Sequence, residues 1–343
     1  MIKPDRLRKG DKVAIVSLSS GLLGEKSMLH KYELGKKRLE EKFGLEVVTM
    51  TNALKGIEYL REHPEKRAED LMNAFKDKSI KAIICAIGGE ETIRILPYID
   101  YDVIKNNPKI FSGFSDTTAN HFMLYKAGLI SYYGPCLLCD FAEYVDMYDY
   151  TEKAIRDLWF NPQDRYEIKK CDYWTNEYIS WREENINKSK TRIKDEKGYE
   201  VVQGKGKVTG KLLGGCLDAF PVYVGTEIWP SLEEWKDKII FLETSEEMPE
   251  PDFIYYYLLN LGAQGIFNVA KGIIVGKPKD EKYYEEYKEV FRKVLKEFGR
   301  EDMPVLYNAN FGHSSPIGII PYGIECELDV DNKTITLLES VVK

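Results

Sequence analysis

A serine stands where an apolar run meets a polar, helix-forming run in the segment PKIFSGFSDTTANHFMLYKAG. Ser115 follows the β-rich residues, and Asp116 is placed to cap the helix that begins next. A serine in a sharp strand-to-helix turn projects outward, and the amides at the helix start can stabilise an oxyanion. Because the segment lacks the second glycine of the G-x-S-x-G elbow, an ordinary turn serine is the alternative to a nucleophile.

Two adjacent glycines, Gly88 and Gly89, close the preceding strand in CAIGGEET. Glycine allows unusual dihedral angles and a close approach of the backbone to a ligand, as an oxyanion site requires. The sequence has no G-x-x-x-x-G-K-[ST] phosphate loop and no G-x-G-x-x-G after a strand. A tight turn without a ligand is the alternative interpretation.

A serine nucleophile needs a base, because its hydroxyl is protonated at neutral pH. His30 and His63 lie on charged helical stretches, and His121 lies inside the helix after Ser115, where packing is the expected role. His313, in NANFGHSSP, follows an apolar strand in a loop of small residues. It is the candidate base, with a structural loop histidine as the alternative.

An imidazole base works best when a carboxylate fixes its tautomer. Glu243 ends the apolar run KIIFLE, and a carboxylate at a buried strand end is costly unless it is paired or faces a cleft. A surface glutamate is the alternative. Ser115, Glu243 and His313 follow the chain order Ser, acid, His of one hydrolase class, which predicts an active site at a boundary between two domains.

Alternating β-rich and helical runs over the first 140 residues must position the serine. This rhythm predicts a parallel sheet with helices on both faces, the three-layer, doubly wound α/β class. Ligands of such sheets bind beyond the carboxyl ends of the strands, here 19–21, 88–90 and 113–116.

The length of 343 residues suggests two domains at about 150 residues each. We expect an N-terminal α/β domain at 1–165 that carries the nucleophile. A linker or substrate loop follows at 166–207, where no apolar period is sustained. A mixed α/β domain at 208–343 carries Glu243 and His313, and the turn residues DVDNK indicate a terminal hairpin.

Composition excludes several classes of protein. With 49 basic and 56 acidic residues the net charge is −7, which disfavours a nucleic-acid polymer as partner. The six cysteines fall mostly in apolar runs, and the C-x-x-C of Cys136 and Cys139 has no second pair, so we expect no structural metal and a reducing cytosol. The uncharged run 253–270 predicts a buried helix and turn, not a membrane span, and no secretory signal is visible.

Six segments in order carry a resemblance to a known family, and they are KPDRLRKGDKVAIVSLSSG, IGGEETIRILPYIDYD, PKIFSGFSDTTANHFMLYKAGLISYYGP, GKLLGGCLDAF, IIFLETSEE and NFGHSSPIGIIPYG. Nearly end to end, the chain resembles the serine peptidases that include the LD-carboxypeptidases and the microcin C self-immunity proteins. The resemblance implies a triad of Ser115, Glu243 and His313, with oxyanion amides from Gly89 and Asp116. It also implies a swivelling, β-rich C-terminal α/β domain, a homodimer, and no metal or cofactor.

The segment LISYYGP and the long insertion with a tryptophan are more similar to the immunity-type branch. Members of that branch hydrolyse a peptidyl or aminoacyl amide joined to a nucleotide, which implies that Trp181, or else Trp174, stacks on the base. A hydrophobic loop anchor is the alternative. Cys216 stands where many members have asparagine, and Glu90 and Glu91 follow Gly89, so we expect Cys216 and Glu90 near the substrate.

The resemblance implies a cytoplasmic serine peptidase or amidase that acts through an acyl-enzyme on a small peptide or aminoacyl-nucleotide. One alternative is an LD-carboxypeptidase that releases D-alanine from murein tetrapeptide. An alternative of another class is an inactive protein that binds a peptide or nucleotide in a cleft between the domains.

Overall fold

The computed structural model describes residues 1–343, which form two compact units. Unit 1 comprises Met1–Pro162, Glu177–Lys190 and Val341–Lys343, and unit 2 comprises Gln163–Asn176 and Thr191–Ser340. None of the helices has the length and apolar character needed to span a bilayer.

Unit 1 is built on a parallel sheet. Its strands are β1 Lys12–Val16, β2 Glu46–Thr49, β3 Ile80–Cys85, β4 Ile110–Gly113 and β5 Tyr132–Tyr133. They pair in the order β5-β4-β3-β1-β2. The helices are α1 Leu29–Glu41, α2 Ile57–Glu62, α3 Pro64–Lys76, α4 Tyr101–Asn106, α5 Thr118–Lys126 and α6 Asp149–Ile155. The predicted α/β class is confirmed.

The strand order of unit 1 explains where a ligand site can form. β3, with the sequence IKAIIC, is buried at five of its six positions, as expected for a strand covered on both faces. Right-handed crossovers put α1 on one face of the sheet and α3, α4 and α5 on the other. The winding therefore reverses between β1 and β3, and the loops beyond the carboxyl ends of these strands border the resulting crevice.

Unit 2 contains an eight-stranded mixed sheet in the order β6-β16-β15-β10-β11-β12-β13-β9 and a separate β7-β8 pair. The strands of these two sheets are β6 Tyr166–Glu167, β7 Tyr173–Trp174, β8 Ile193–Lys194, β9 Glu200–Gln203, β10 Lys207–Cys216, β11 Lys238–Glu243, β12 Gly272–Gly276, β13 Val305–Ala309, β15 Glu325–Asp329 and β16 Thr334–Leu337. A further two-residue strand, β14 Ile320–Pro321, belongs to neither of them. Its helices are α7 Phe220–Tyr223, α8 Leu232–Trp235, α9 Pro251–Ala263, α10 Ile266–Val269 and α11 Tyr284–Glu297.

The centre of this sheet is parallel and its flanks are antiparallel. β10, β11, β12 and β13 run in the same direction, with Cys216 opposite Glu243 where β10 and β11 end. The predicted terminal hairpin is confirmed as the antiparallel β15-β16 pair. The run 253–270 forms α9, a turn and α10 as predicted, but α9 is not wholly buried, since Phe253 and Tyr256 are exposed.

Residues 166–207 contain more regular structure than the sequence indicated. β6 pairs with β16 at one edge of the large sheet, and β9 pairs with β13 at the other edge. Strands of two to four residues are too short to produce an apolar period that could be recognised in the sequence.

Candidate active site

Ser115 lies in a strained turn directly after β4. Its φ angle is +65°, a left-handed conformation that is uncommon for a residue with a side chain. The Ser115 N–H donates to the Tyr133 hydroxyl at 2.9 Å, and the Thr118 hydroxyl donates to the Ser115 carbonyl at 2.7 Å. These bonds hold the residue in a conformation that costs about 1–3 kcal/mol, which is typical of functional turns.

Asp116 ties together the loops that follow three strands of unit 1. Its buried carboxylate accepts hydrogen bonds from the Ser19 hydroxyl at 2.6 Å and from the Thr92 N–H at 2.8 Å. The expectation that Asp116 caps the following helix is wrong, because no side chain caps α5 and this carboxylate points to the strand ends instead.

Gly88 packs closely against Ser115, and Gly89 packs closely against Ser19. A Cβ atom on Gly88 would lie 2.9 Å from the Cβ of Ser115, so a side chain here would displace the candidate nucleophile. Gly89 has a φ of +145°, and its Cβ would lie 2.5 Å from the Ser19 hydroxyl oxygen. Glu90 follows as an exposed residue.

Glu243 and His313 form a buried pair in unit 2. Nδ1 of His313 lies 2.7 Å from Oε2 of Glu243, with 7% and 0% of the two side chains exposed. Gly312, with φ +92°, brings the histidine loop onto the carboxylate, since a Cβ there would lie 2.4 Å from Oε2 of Glu243. The carboxylate therefore fixes the imidazole orientation, as a catalytic base requires.

A second carboxylate, which the sequence reasoning missed, lies at the other ring nitrogen. Nε2 of His313 is 2.8 Å from Oε2 of Glu246, a side chain that is 61% exposed. This hydrogen bond lowers the pKa of Glu246 to about 2. Burial acts to lower the pKa of His313, but the carboxylates of Glu243 and Glu246 outweigh it and hold that pKa well above its usual value.

Cys216 lies beside the same pair. Its thiol donates to Asp218 at 3.3 Å, and the ligand atoms of Cys216, Glu243 and His313 all lie within 4.8 Å of one another. Burial raises the pKa of the Cys216 thiol well above its usual value, which favours the protonated form over a metal-binding thiolate.

The other histidines have structural partners. His121 is buried between the Ser131 hydroxyl and the Gly113 carbonyl, and burial lowers its pKa to about 3. His30 contacts Tyr144 and His63 contacts Glu65. The expected packing role of His121 is confirmed, and only His313 has a buried carboxylate at the end of a strand as its partner.

The two candidate tryptophans have different surroundings. Trp181, in unit 1, lies with its ring 4.1 Å from the Lys31 ammonium and lines an open cavity of about 820 Å³. Burial lowers the pKa of Lys31 to about 8. Trp174, in unit 2, is itself buried against Lys277. Trp181 is therefore the better placed of the two to meet a ligand.

All six cysteines are free thiols, including Cys136 and Cys139 of the C-x-x-C motif. Cys136 is buried and Cys139 is half-buried. No disulfide therefore links this motif in the structure.

The chain matches models of both domains of one peptidase family. The LD-carboxypeptidase N-terminal domain matches residues 13–134, and the LD-carboxypeptidase C-terminal domain matches residues 209–328. The model boundaries leave the insertion that contains Trp181 between them.

The relatives of this chain include a microcin self-immunity protein and a probable murein peptide carboxypeptidase. The microcin C7 self-immunity protein MccF of Escherichia coli is 30% identical over 277 residues, which are 80% of this chain and 78% of the relative. A Bacillus subtilis protein named "Probable murein peptide carboxypeptidase" is 28% identical over 345 residues, with 98% and 94% of the two chains covered.

Solved structures of MccF and of an MccF-like protein have the same fold as this chain. An MccF-like protein from Streptococcus pneumoniae in complex with AMP has a TM-score of 0.87 and 36% identity, over 96% of this chain and 98% of that chain. Microcin C7 self-immunity protein MccF in complex with aspartyl sulfamoyl adenosine has a TM-score of 0.87 and 27% identity, over 100% of both chains.

Proposed function

Because this chain belongs to the LD-carboxypeptidase family of serine peptidases, we propose that it hydrolyses an aminoacyl or peptidyl amide joined to a nucleotide through Ser115, His313 and Glu243. The observation that carries the proposal is the buried bond of 2.7 Å between His313 and Glu243. It gives the imidazole the fixed orientation that a general base needs.

In the proposed reaction, neutral His313 takes the proton of Ser115 while the serine oxygen attacks the amide carbonyl. The backbone N–H groups of Gly89 and Asp116 stabilise the oxyanion. His313 then protonates the leaving nitrogen, and an acyl-enzyme remains. Water attacks this ester with His313 again as base, which releases the acid and restores Ser115.

Two observations support a nucleotide in the leaving group. Similar solved proteins bind AMP and aspartyl sulfamoyl adenosine. Trp181 lines an open cavity in this chain, and an aromatic ring there could stack on a base. We further propose that Cys216 and Glu90 contact the substrate and that the protein acts as a cytoplasmic homodimer. Light scattering should then give twice the chain mass of 39.6 kDa.

The second candidate is release of D-alanine from murein tetrapeptide, which the similarity to the Bacillus subtilis protein favours. The same triad would serve both reactions, so the substrate decides between them. Mass spectrometry of the products, with aspartyl sulfamoyl adenosine and with murein tetrapeptide in separate reactions, distinguishes the two.

The test of the triad is the variant Ser115→Ala. We expect it to fold and to lose turnover by about 10⁶-fold, because the nucleophile is gone. Hydrolysis at the wild-type rate by Ser115→Ala would refute the assignment. A wild type that binds aspartyl sulfamoyl adenosine but cleaves neither substrate would favour an inactive binding protein.

A further inference from the structure

Both ring nitrogens of His313 are in contact with carboxylates. Nδ1 lies 2.7 Å from Glu243 and Nε2 lies 2.8 Å from Glu246. Since an ionised carboxylate only accepts hydrogen bonds, both nitrogens must donate, and the ring is an imidazolium. An imidazolium has no free lone pair, so in this state His313 cannot take a proton from Ser115.

The two carboxylates differ in their freedom to move. Glu243 is wholly buried at the end of β11, whereas 61% of the Glu246 side chain is exposed in the loop that follows. The other charged or titratable groups near His313 and its two carboxylates are Cys216 at the end of β10, Asp218 just after it, and Lys279 after β12. Asp218 is held by the Ser245 N–H, and Lys279 pairs with Asp280. Glu246 is therefore the group that can leave the imidazole.

We propose that Glu246 is a gate on the catalytic base, and that the free α-ammonium group of an aminoacyl substrate opens it by drawing the carboxylate away from Nε2 of His313. This inference rests on the proposed function and specifies its substrate class. When the carboxylate leaves, the Nε2 proton passes to water, and the neutral imidazole is then free to act as the base.

The geometry of an aminoacyl amide allows the Glu246 carboxylate to move from His313 to the substrate α-ammonium. The α-nitrogen is two bonds of about 1.5 Å from the carbonyl carbon that Ser115 attacks. If Ser115 and His313 act on the same carbonyl, as in the proposed reaction, the α-ammonium is held close to Nε2 of His313 and to the Glu246 carboxylate bound there. In a peptidyl or N-acetylated substrate the same nitrogen is an uncharged amide. Glu246 thus favours aminoacyl over peptidyl amides.

The pH dependence of kcat/KM tests the gate. N-acetyl-aspartyl sulfamoyl adenosine is the substrate here, because a free α-amino group would itself titrate near about 7.7–8.0. Neutral His313 is the active form, so a carboxylate that raises its pKa moves the acid limb of the profile to higher pH. Glu246→Gln should shift that limb down by about one pH unit, which is about a tenfold gain below the limb. The matched control Glu247→Gln, an exposed neighbour, should leave it unchanged.

The selectivity for the α-ammonium tests the second half of the proposal. The ratio of kcat/KM for aspartyl sulfamoyl adenosine to that for its N-acetyl derivative should fall about tenfold in Glu246→Gln, as expected for the loss of a close, partly desolvated charge pair. Glu247→Gln should keep the wild-type ratio. The proposal is overturned if Glu246→Gln leaves the acid limb of the kcat/KM profile at the wild-type pH. It is also overturned if this variant keeps the wild-type ratio of kcat/KM for the two substrates.

A measurement without turnover separates this inference from the proposed function. NMR titration of the His313 imidazole should show a pKa about one unit lower in Glu246→Gln than in wild type, even if neither substrate is cleaved. An unchanged titration overturns the gate. Loss of hydrolysis in Ser115→Ala tests the peptidase itself, and that result does not depend on Glu246.

Discussion

The turn of Ser115 in unit 1 and the His313–Glu243 pair in unit 2 hold their reactive groups by different means. Ser115 is positioned by backbone sterics, since its φ is +65° and a Cβ on Gly88 would lie 2.9 Å from its own Cβ. His313 is positioned by charge, through a buried carboxylate at 2.7 Å. The nucleophile should therefore be sensitive to added volume, and the base to lost charge.

Among the changes that test this difference in positioning, removal of the Glu243 charge should have the largest effect. Glu243→Gln should lower turnover by about 10⁴-fold, because the amide cannot stabilise the imidazolium or hold its tautomer. The pKa of His313 should fall, since Glu243 is one of the two carboxylates that raise it. Stopped assays measure the turnover, and an NMR titration measures the pKa of His313. Turnover within tenfold of wild type would remove Glu243 from the triad, and Glu247→Gln is the matched control.

Two glycine substitutions sharpen the comparison. Gly88→Ala and Gly312→Ala each place a methyl group against a proposed catalytic side chain, and a displacement of about 1 Å costs about 10²-fold in rate. Only Gly312→Ala should change the His313 titration, because its Cβ would lie 2.4 Å from Glu243. Equal titrations in the two variants would contradict the division into steric and electrostatic positioning.

Gly128→Ala is the control for backbone strain. Gly128 has a φ of +82° and nothing within 4 Å of its Cβ position, so alanine there costs stability without touching Ser115 or Glu243. Its thermal midpoint should fall while its turnover per folded molecule stays at the wild-type value.

The smallest effect concerns the proposed nucleotide contact. Trp181→Ala should raise KM for aspartyl sulfamoyl adenosine about tenfold, within the range of about 1–3 kcal/mol for stacking on one base. Trp181→Phe should raise it less, because a smaller ring still stacks. Trp174→Phe, at a buried position, should lower stability and leave KM unchanged. A wild-type KM in Trp181→Ala would rule out the stacking role.

The sequence predicted those features that depend on where strands end. Alternating strands and helices are sufficient to predict the α/β class, and the ends of β4 and β11 place Ser115 and Glu243. The contact of Glu243 with His313 follows from the cost of burying an unpaired carboxylate.

The features that sequence reasoning missed depend on side-chain direction. Asp116 was expected to cap a helix, but its carboxylate turns toward Ser19 and Thr92. Glu246 stands in the run TSEE with no spacing that distinguishes it from Glu247, and only the fold brings its carboxylate to His313. Such rotamer choices are set by tertiary contacts, which no local pattern encodes.

Covalent labelling with a fluorophosphonate tests whether Ser115 is an activated nucleophile. The wild type should gain one adduct, and peptide mapping by mass spectrometry should place it on Ser115, with no adduct in Ser115→Ala. A wild-type protein that stays unmodified under conditions that label a known serine hydrolase, or an adduct on another serine, would contradict the proposed mechanism.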